Sequence, residues 1–258
     1  MRARVATFWT PKAGHTVAEY EDAAWPGPLG DGEREGNRLR LALCDGATES
    51  LLAGRWARQL AATFGGASGD GFAPLLTAAT SRFEDELRGY LADRRARGRP
   101  IQWYEEPGLR RGARATLLVT ELEEPVEGAA VGTWAALAVG DSCLFQVRRD
   151  RLRVAFPLEQ AGEFGSAPDL VSSRGRDVAA ARTRLLEGRW RPGDVFYLAT
   201  DALAAWFLRS VDAGGRPWEE LDALPPGDRE AFAGWVGQLR GKRAIKNDDV
   251  TLVRVEVR

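Results

Sequence analysis

Histidine is almost missing: His15 is the only one in 258 residues. That count excludes histidine metal clusters, the HExxH zinc peptidases and most triad hydrolases together. Two cysteines, Cys44 and Cys143, are too few for a disulfide framework or a four-ligand thiolate zinc site, and neither requires an oxidising compartment. Net charge is missing as well. Against 37 acidic residues stand 36 basic ones, a formal charge of -1, so no global positive field exists to hold a nucleic-acid backbone by counterion release. Lysine is scarce, with Lys12, Lys242 and Lys246 the whole set, a bias that GC-rich coding explains. No apolar run approaches the roughly 20 residues that span a bilayer, and the opening MRARVATFWTPKAG holds no signal-peptide core. The expectation is a soluble, cytoplasmic protein with no nucleic-acid or membrane partner, whose chemistry runs on carboxylates, hydroxyls or metals.

What the chain does contain is a core, since 44% of its residues are hydrophobic, enough for one large domain. ARVATFW and RLRLALC (38–44) read as strands, with AAWPGPLGDGEREGN between them as a turn-rich loop. Past Asp45, Leu52, Trp56, Leu60 and Phe64 recur every fourth position, a helix face that Thr48 is placed to cap. GGASGDG breaks it. Leu76, Phe83, Leu87 and Leu91 then predict a longer helix ending at ARGRP, with Glu84 and Arg88 four apart on its wet side. RATLLVTELEE, GTWAALAVGDS and CLFQVRRDRLRVAF predict successive strands joined by tight turns. Pro157 to Arg191 reads as loop, apart from a short helix over DVAAARTRLL. DVFYLAT predicts a buried strand leading into the helix DALAAWFLRSV; Phe232, Trp235 and Leu239 mark another helix, and DVTLVRVEV a closing strand. Strands and helices come in blocks with hairpins, not as single βα units, which predicts an α+β fold with largely antiparallel sheets. One domain over 1–258 is expected, for want of a linker long enough to divide it. Trp103 and Tyr104, between prolines, read as a tucked loop anchor, with a contact surface as the alternative.

Asp-Gly usually means a turn, and Asp31-Gly32 and Asp70-Gly71 read that way. Asp45-Gly46 differs, because it ends the apolar strand LALC and precedes a helix, which sets an acid at a rigid strand edge. Asp141 ends ALAVG, Asp201 ends VFYLAT, Asp248 and Asp249 open the last strand, and Glu21 with Asp22 sit in AEYEDAAW. Repeated at each of these places, the arrangement points to carboxylates gathered at one end of a sheet pair; the alternative is a set of turn formers and helix caps scattered over the surface. Gathering them is unfavourable, since like charges repel by roughly 4 kcal/mol at 4 Å and an effective dielectric of 20. Divalent cations offset this, and all-oxygen ligands select the hard ions Mg2+ or Mn2+ over zinc or copper.

Taken in order, EYEDAAW, ALCDGATES, ARATLLV, AVGDSCLFQVRRDRL, GDVFYLATDAL and NDDVTLVRV resemble the motif series of the metal-dependent protein phosphatases of type 2C over nearly the whole chain. The resemblance implies a four-layer α-β-β-α sandwich with a binuclear centre at one edge. It implies that Asp45 bridges two metals, that the Glu21 carboxylate and the Gly46 carbonyl serve one of them, and that Asp201 and Asp248 hold the other. Asp22 matches an acid that steadies metal-bound water and Asp141 a position associated with a third, weaker metal; Asp249, expected as a further metal residue, stands where most members carry asparagine. The implied reaction is hydrolysis of phosphoserine or phosphothreonine in proteins, by a water whose pKa two Mg2+ or Mn2+ ions lower from about 15.7 toward neutrality. A phosphoprotein is then the partner, and the enzyme is expected as a monomer.

The sequence also departs from that pattern. The arginine that grips substrate phosphate, five positions before the acid matching Asp22, is here Val17, leaving Lys12, His15 and Arg114 as candidate substitutes. Ala47 and Thr48 follow Asp45-Gly46, and Ala202 follows Asp201, where glycine is usual. One rival reading is a pseudophosphatase that binds phosphoproteins as a scaffold. Another is a cysteine-dependent phosphatase, since Cys143 and Arg149 have the Cys-x5-Arg spacing. LFQVR between them alternates as a strand, however, with neither glycine nor helix start, and both cysteines read as buried packing residues. Substrate selection is expected from Pro157–Arg191.

Overall fold

Side-chain alternation sorts the strands into layers. The computed structural model describes residues 1–27, 30–69, 71–125, 131–165, 167–174 and 182–258. In chain order the elements are β1 (Arg2–Thr10), β2 (Ala23–Trp25), β3 (Gly32–Glu35), β4 (Arg38–Cys44), α1 (Ala53–Gly65), α2 (Phe72–Ala96), α3 (Glu106–Arg111), β5 (Arg114–Ala115), β6 (Leu117–Glu123), β7 (Gly132–Val139), β8 (Cys143–Val147) and β9 (Leu152–Phe156). There follow β10 (Val171–Ser172), β11 (Arg184–Trp190), β12 (Val195–Ala199), α4 (Asp201–Asp212), α5 (Pro217–Asp222), α6 (Arg229–Gly241) and β13 (Val250–Val257). One sheet runs β3-β1-β13-β12-β8-β9, the other β11-β7-β6-β4-β2, and β10 with β5 forms a short ribbon. Each named strand pair is antiparallel.

Between the sheets lie Val5, Leu41, Leu43, Leu118, Trp134, Leu144, Phe196, Val253 and Val255. The alternate residues of the same strands point outward. Ala42, Cys44, Leu117, Val119 and Val139 meet Trp56, Leu60, Phe64, Leu76 and Phe83 of α1 and α2. On the opposite face Phe8, Phe145 and Tyr197 meet Phe207, Trp218, Phe232 and Val236 of α4, α5 and α6. Each such large apolar side chain contributes about 1.5–3 kcal/mol when fully buried. The result is the expected α-β-β-α order of layers. Among the described residues, no helix is long and apolar enough to cross a membrane.

Several local expectations are corrected. The loop from Ala23 to Asn37 contains β2 and β3, two short strands too polar or too brief to show a period. α1 starts at Ala53 behind Leu52, whose φ is 66°, and Thr48 does not cap it. In α2, Arg88 pairs with Asp85 and not with Glu84. β7 and β8 do not form a hairpin with each other but belong to different sheets. Part of DVAAARTRLL is strand: Arg184 to Leu186 begin β11, an exposed edge strand whose Arg and Glu content hides its alternation, while residues 177–181 lie outside the described residues, as does Asp70. Trp103 and Tyr104 are not tucked; they are 81% and 65% exposed.

Candidate metal centre

Antiparallel pairing brings the acids to one edge. β4 ends just before Asp45, and its partner β2 starts just after Glu21 and Asp22, with Ala23 opposite Cys44. β12 ends before Asp201, and its partner β13 begins after Asp248 and Asp249. A cleft of about 590 Å³ opens at this edge, and Asp45, Gly46, Asp141, Asp201 and Asp248 all line it.

The local chain is built to hold these positions. A Cβ on Gly46 would stand 2.7 Å from the Glu21 carbonyl oxygen and 2.9 Å from the Ala53 carbonyl carbon, so only glycine lets the two acid-bearing segments touch. The Asp45 N–H donates to Thr116 Oγ1 at 3.0 Å, and Thr116 Oγ1 bonds Ser142 Oγ at 2.8 Å, tying the Asp45 turn to the Asp141 turn. Gly140 makes that second turn with φ +100°. Asp201 is the first residue of α4, and its Oδ1 accepts the Ala202 N–H at 2.5 Å. The Ala202 methyl packs into the apolar layer beneath α4, so the glycine usual in the resembled motif is not required here.

Asp22 is buried behind the cleft wall. Its Oδ2 accepts from Thr251 Oγ1 at 2.6 Å and Thr200 Oγ1 at 3.1 Å, and Tyr20 extends the chain through its own bond to Thr251 Oγ1. Its Oδ1 has no hydrogen-bond partner among the described residues. Asp249 is differently employed: Oδ1 accepts the Lys12 N–H at 2.8 Å and Oδ2 the Glu21 N–H at 2.7 Å, which clamps the 12–21 segment to β13.

Burial, and then the surrounding carboxylates, push these acids up. Burial is the main cause for Asp45, followed by repulsion from Asp22, Asp201, Asp141 and Asp248. Asp22 is raised by burial and by Asp249 and Asp201, against the two threonine bonds. Burial and then Asp201 bring Asp141 up to about 6. Burial also raises Glu21, partly opposed by a bond from Thr48, and raises Asp201, partly opposed by Lys246. The donor set thus suits a hard divalent cation in kind: carboxylate and carbonyl oxygens, short of counter-charge, beside a buried acceptor with no partner. Among the described residues no three acids close on a common point, so an ion here would rest on one or two carboxylates and water, as Mg2+ commonly does. Lys246 stands between two of them, its Nζ 2.7 Å from Asp248 Oδ2 and 3.4 Å from Asp201 Oδ2.

Of the candidate phosphate-holding residues, Arg114 lines the cleft, joined by Arg111 from the end of α3, which the sequence reading missed because α3 has no legible period. Neither guanidinium forms an ion pair among the described residues. His15 sits on an exposed loop, its Nδ1 3.9 Å from Glu19 Oε1. Val17 is half exposed in a 3-10 turn, Val17–Glu19. Gly165, Ala167, Pro168 and Leu170 form part of the cleft rim. Cys143 is buried in β8, where burial drives its thiol far up, and Arg149 turns the β8–β9 hairpin with φ 49°, so the pair forms no phosphate loop.

No protein-family model matches the sequence, and no curated protein matches it significantly. Solved structures do match. The chain is similar to the serine/threonine phosphatase PstP of Mycobacterium tuberculosis at 17% identity and TM-score 0.57, over 100% of this chain and 99% of that one. It is similar to the PstP catalytic domain in complex with two manganese ions at 17% identity and TM-score 0.51, over 99% and 98%. RsbX in complex with magnesium matches at 13% identity and TM-score 0.52, over 100% and 96%. The chain therefore has the fold of the type 2C phosphatases.

Proposed function

We propose that this protein is a metal-dependent phosphatase that hydrolyses phosphoserine and phosphothreonine in phosphoproteins. The observation that carries the reading is the meeting of Asp45, Asp141, Asp201 and Asp248 in one cleft, from four separate strand ends. Asp45, the Glu21 carboxylate and the Gly46 carbonyl would hold one divalent cation; Asp201 and Asp248 would hold a second. Asp141 would serve a third and weaker one. Mg2+ or Mn2+ bound there supplies Lewis acidity toward the phosphoryl oxygens and makes an attacking water acidic enough to act near neutral pH.

The chain's own groups do the rest. Thr200 and Thr251 fix Oδ2 of Asp22, which leaves Oδ1 to orient a water or hold its proton. Asp249 spends both oxygens on main-chain N–H groups, so its part is to hold Glu21 in place and not to ligate. Arg114 and Arg111 take the phosphoryl dianion in place of the arginine replaced by Val17, a task suited to unpaired guanidinium groups. The rim formed by Gly165, Ala167, Pro168 and Leu170 would meet the peptide around the phosphoresidue.

A second reading, a phosphoprotein-binding scaffold without turnover, draws support from Lys246 standing where a metal would be needed. One experiment separates the two. Purified protein is assayed on p-nitrophenyl phosphate and a phosphothreonine peptide, with Mn2+ and with EDTA, beside Asp45→Asn and Asp201→Asn variants. Catalysis predicts metal-dependent release that falls at least a hundredfold in both variants. Release that is absent, or equal in the variants, overturns it.

A further inference from the structure

In a chain with only three lysines, one of them enters the acidic cleft. Lys246 reaches Asp248 and Asp201 together, the two carboxylates assigned to one metal under the proposed function, on which this inference rests. The backbone that carries it is fixed on both sides. Asn247 Oδ1 accepts the Ala13 N–H at 2.8 Å, the Asp248 N–H reaches the Lys246 carbonyl at 3.1 Å, and Arg240 Nη2 donates to the Asp248 carbonyl at 2.6 Å. The side chain itself is 66% exposed, free to swing outward without breaking any of these bonds.

We propose that Lys246 is an intramolecular competitor for the divalent cation, which sets the metal concentration at which the Asp201–Asp248 half of the centre fills. The reason is steric and electrostatic. Carboxylate oxygens bind Mg2+ at about 2.0–2.1 Å, and an ammonium at hydrogen-bond distance on the same Oδ2 atoms crowds that approach and repels the ion by its charge. A state that must first be vacated lowers apparent affinity by the fraction of time it is occupied. Exposed ammonium–carboxylate contacts are weak and salt-screened, so two of them acting together reach roughly a two- to tenfold effect.

The test is calorimetric titration of Mn2+ into the metal-free full chain at low and high salt, for wild type, Lys246→Gln, Lys246→Arg, Lys242→Gln and Asp45→Asn. Lys246→Gln should bind about two- to tenfold more tightly than wild type, with the gap narrowing as salt rises. Lys246→Arg should stay near wild type, and Lys242→Gln, which removes the same charge outside the cleft, should not change. Equal affinity of wild type and Lys246→Gln, with Asp45→Asn impaired, overturns the competition and leaves the metal centre standing. Binding by Lys246→Gln alone supports the competition in its strongest form. Absence of binding in every variant overturns the centre, and the competition with it.

Discussion

Gly46 carries a constraint that its dipeptide hides. At Asp31-Gly32 the glycine opens β3 with no atom within 4 Å of where a Cβ would stand, whereas here a methyl would strike the Glu21 carbonyl and the start of α1. Gly46→Ala should cost about 1–3 kcal/mol in urea unfolding, as overpacked sites do, and should weaken Mn2+ binding by separating Glu21 from Asp45. Asp141 offers a pH test. Its carboxyl rises from the ordinary 3.8 to about 6 on folding, so the folded state holds the proton more tightly than the unfolded one. The stabilisation from that proton is full below pH 3.8 and is lost as the pH climbs through about 6, so metal-free protein should become less stable across this window. Asp141→Asn, which cannot titrate, should flatten that part of the curve of melting temperature against pH in EDTA; an unchanged slope would count against the burial of this group. Under the proposed function, Cys143→Ser should keep activity, since the thiol is buried in β8 and its bond to the Asp141 carbonyl at 3.3 Å suits a hydroxyl.

At the level of elements, β13 does more than close a sheet. Through Asp249 at its start it holds the 12–21 segment, and so Glu21, against the strand end that bears Asp45. Asp249→Ala removes two charge-assisted bonds and should cost about 2–4 kcal/mol, with faster hydrogen exchange confined to that segment; Asp249→Asn keeps one acceptor and should cost less. α4 is positioned for Asp201 by its apolar face, where Phe207 stacks on Phe145 of β8 at 4.0 Å between ring centroids. Phe207→Ala should cost about 3–5 kcal/mol in chemical denaturation. These elements were legible because burial on both faces of β12, and on one face of α4, leaves a dense apolar signature. α3, β3 and β11 were not, since each is short or lies at an edge with charged side chains toward solvent, where period carries little information.

Across the whole molecule, a folded state that gathers carboxylates without enough counter-charge should gain from any cation that binds it and not the unfolded chain. Mn2+ at a hundred times its dissociation constant should add about 2.7 kcal/mol per site, read as a higher melting temperature that EDTA reverses. Asp45→Asn should lose most of that gain. The sequence determined, by itself, an α+β chain of largely antiparallel strands and the acids at the strand ends, because alternation and apolar density are local properties that pairing must respect; the two-sheet order was implied only by the resemblance. It also determined that histidine metal clusters and a disulfide framework are absent, since composition alone settles that. Only the tertiary structure decided which acids face the cleft and which are spent on the backbone, as the contrast between Asp248 and its neighbour Asp249 makes plain. It alone set Lys246 between Asp201 and Asp248, and Arg111 beside Arg114. Such pairings join residues far apart in the chain, and their distances follow from how sheets and loops pack, a quantity that no spacing along the sequence contains.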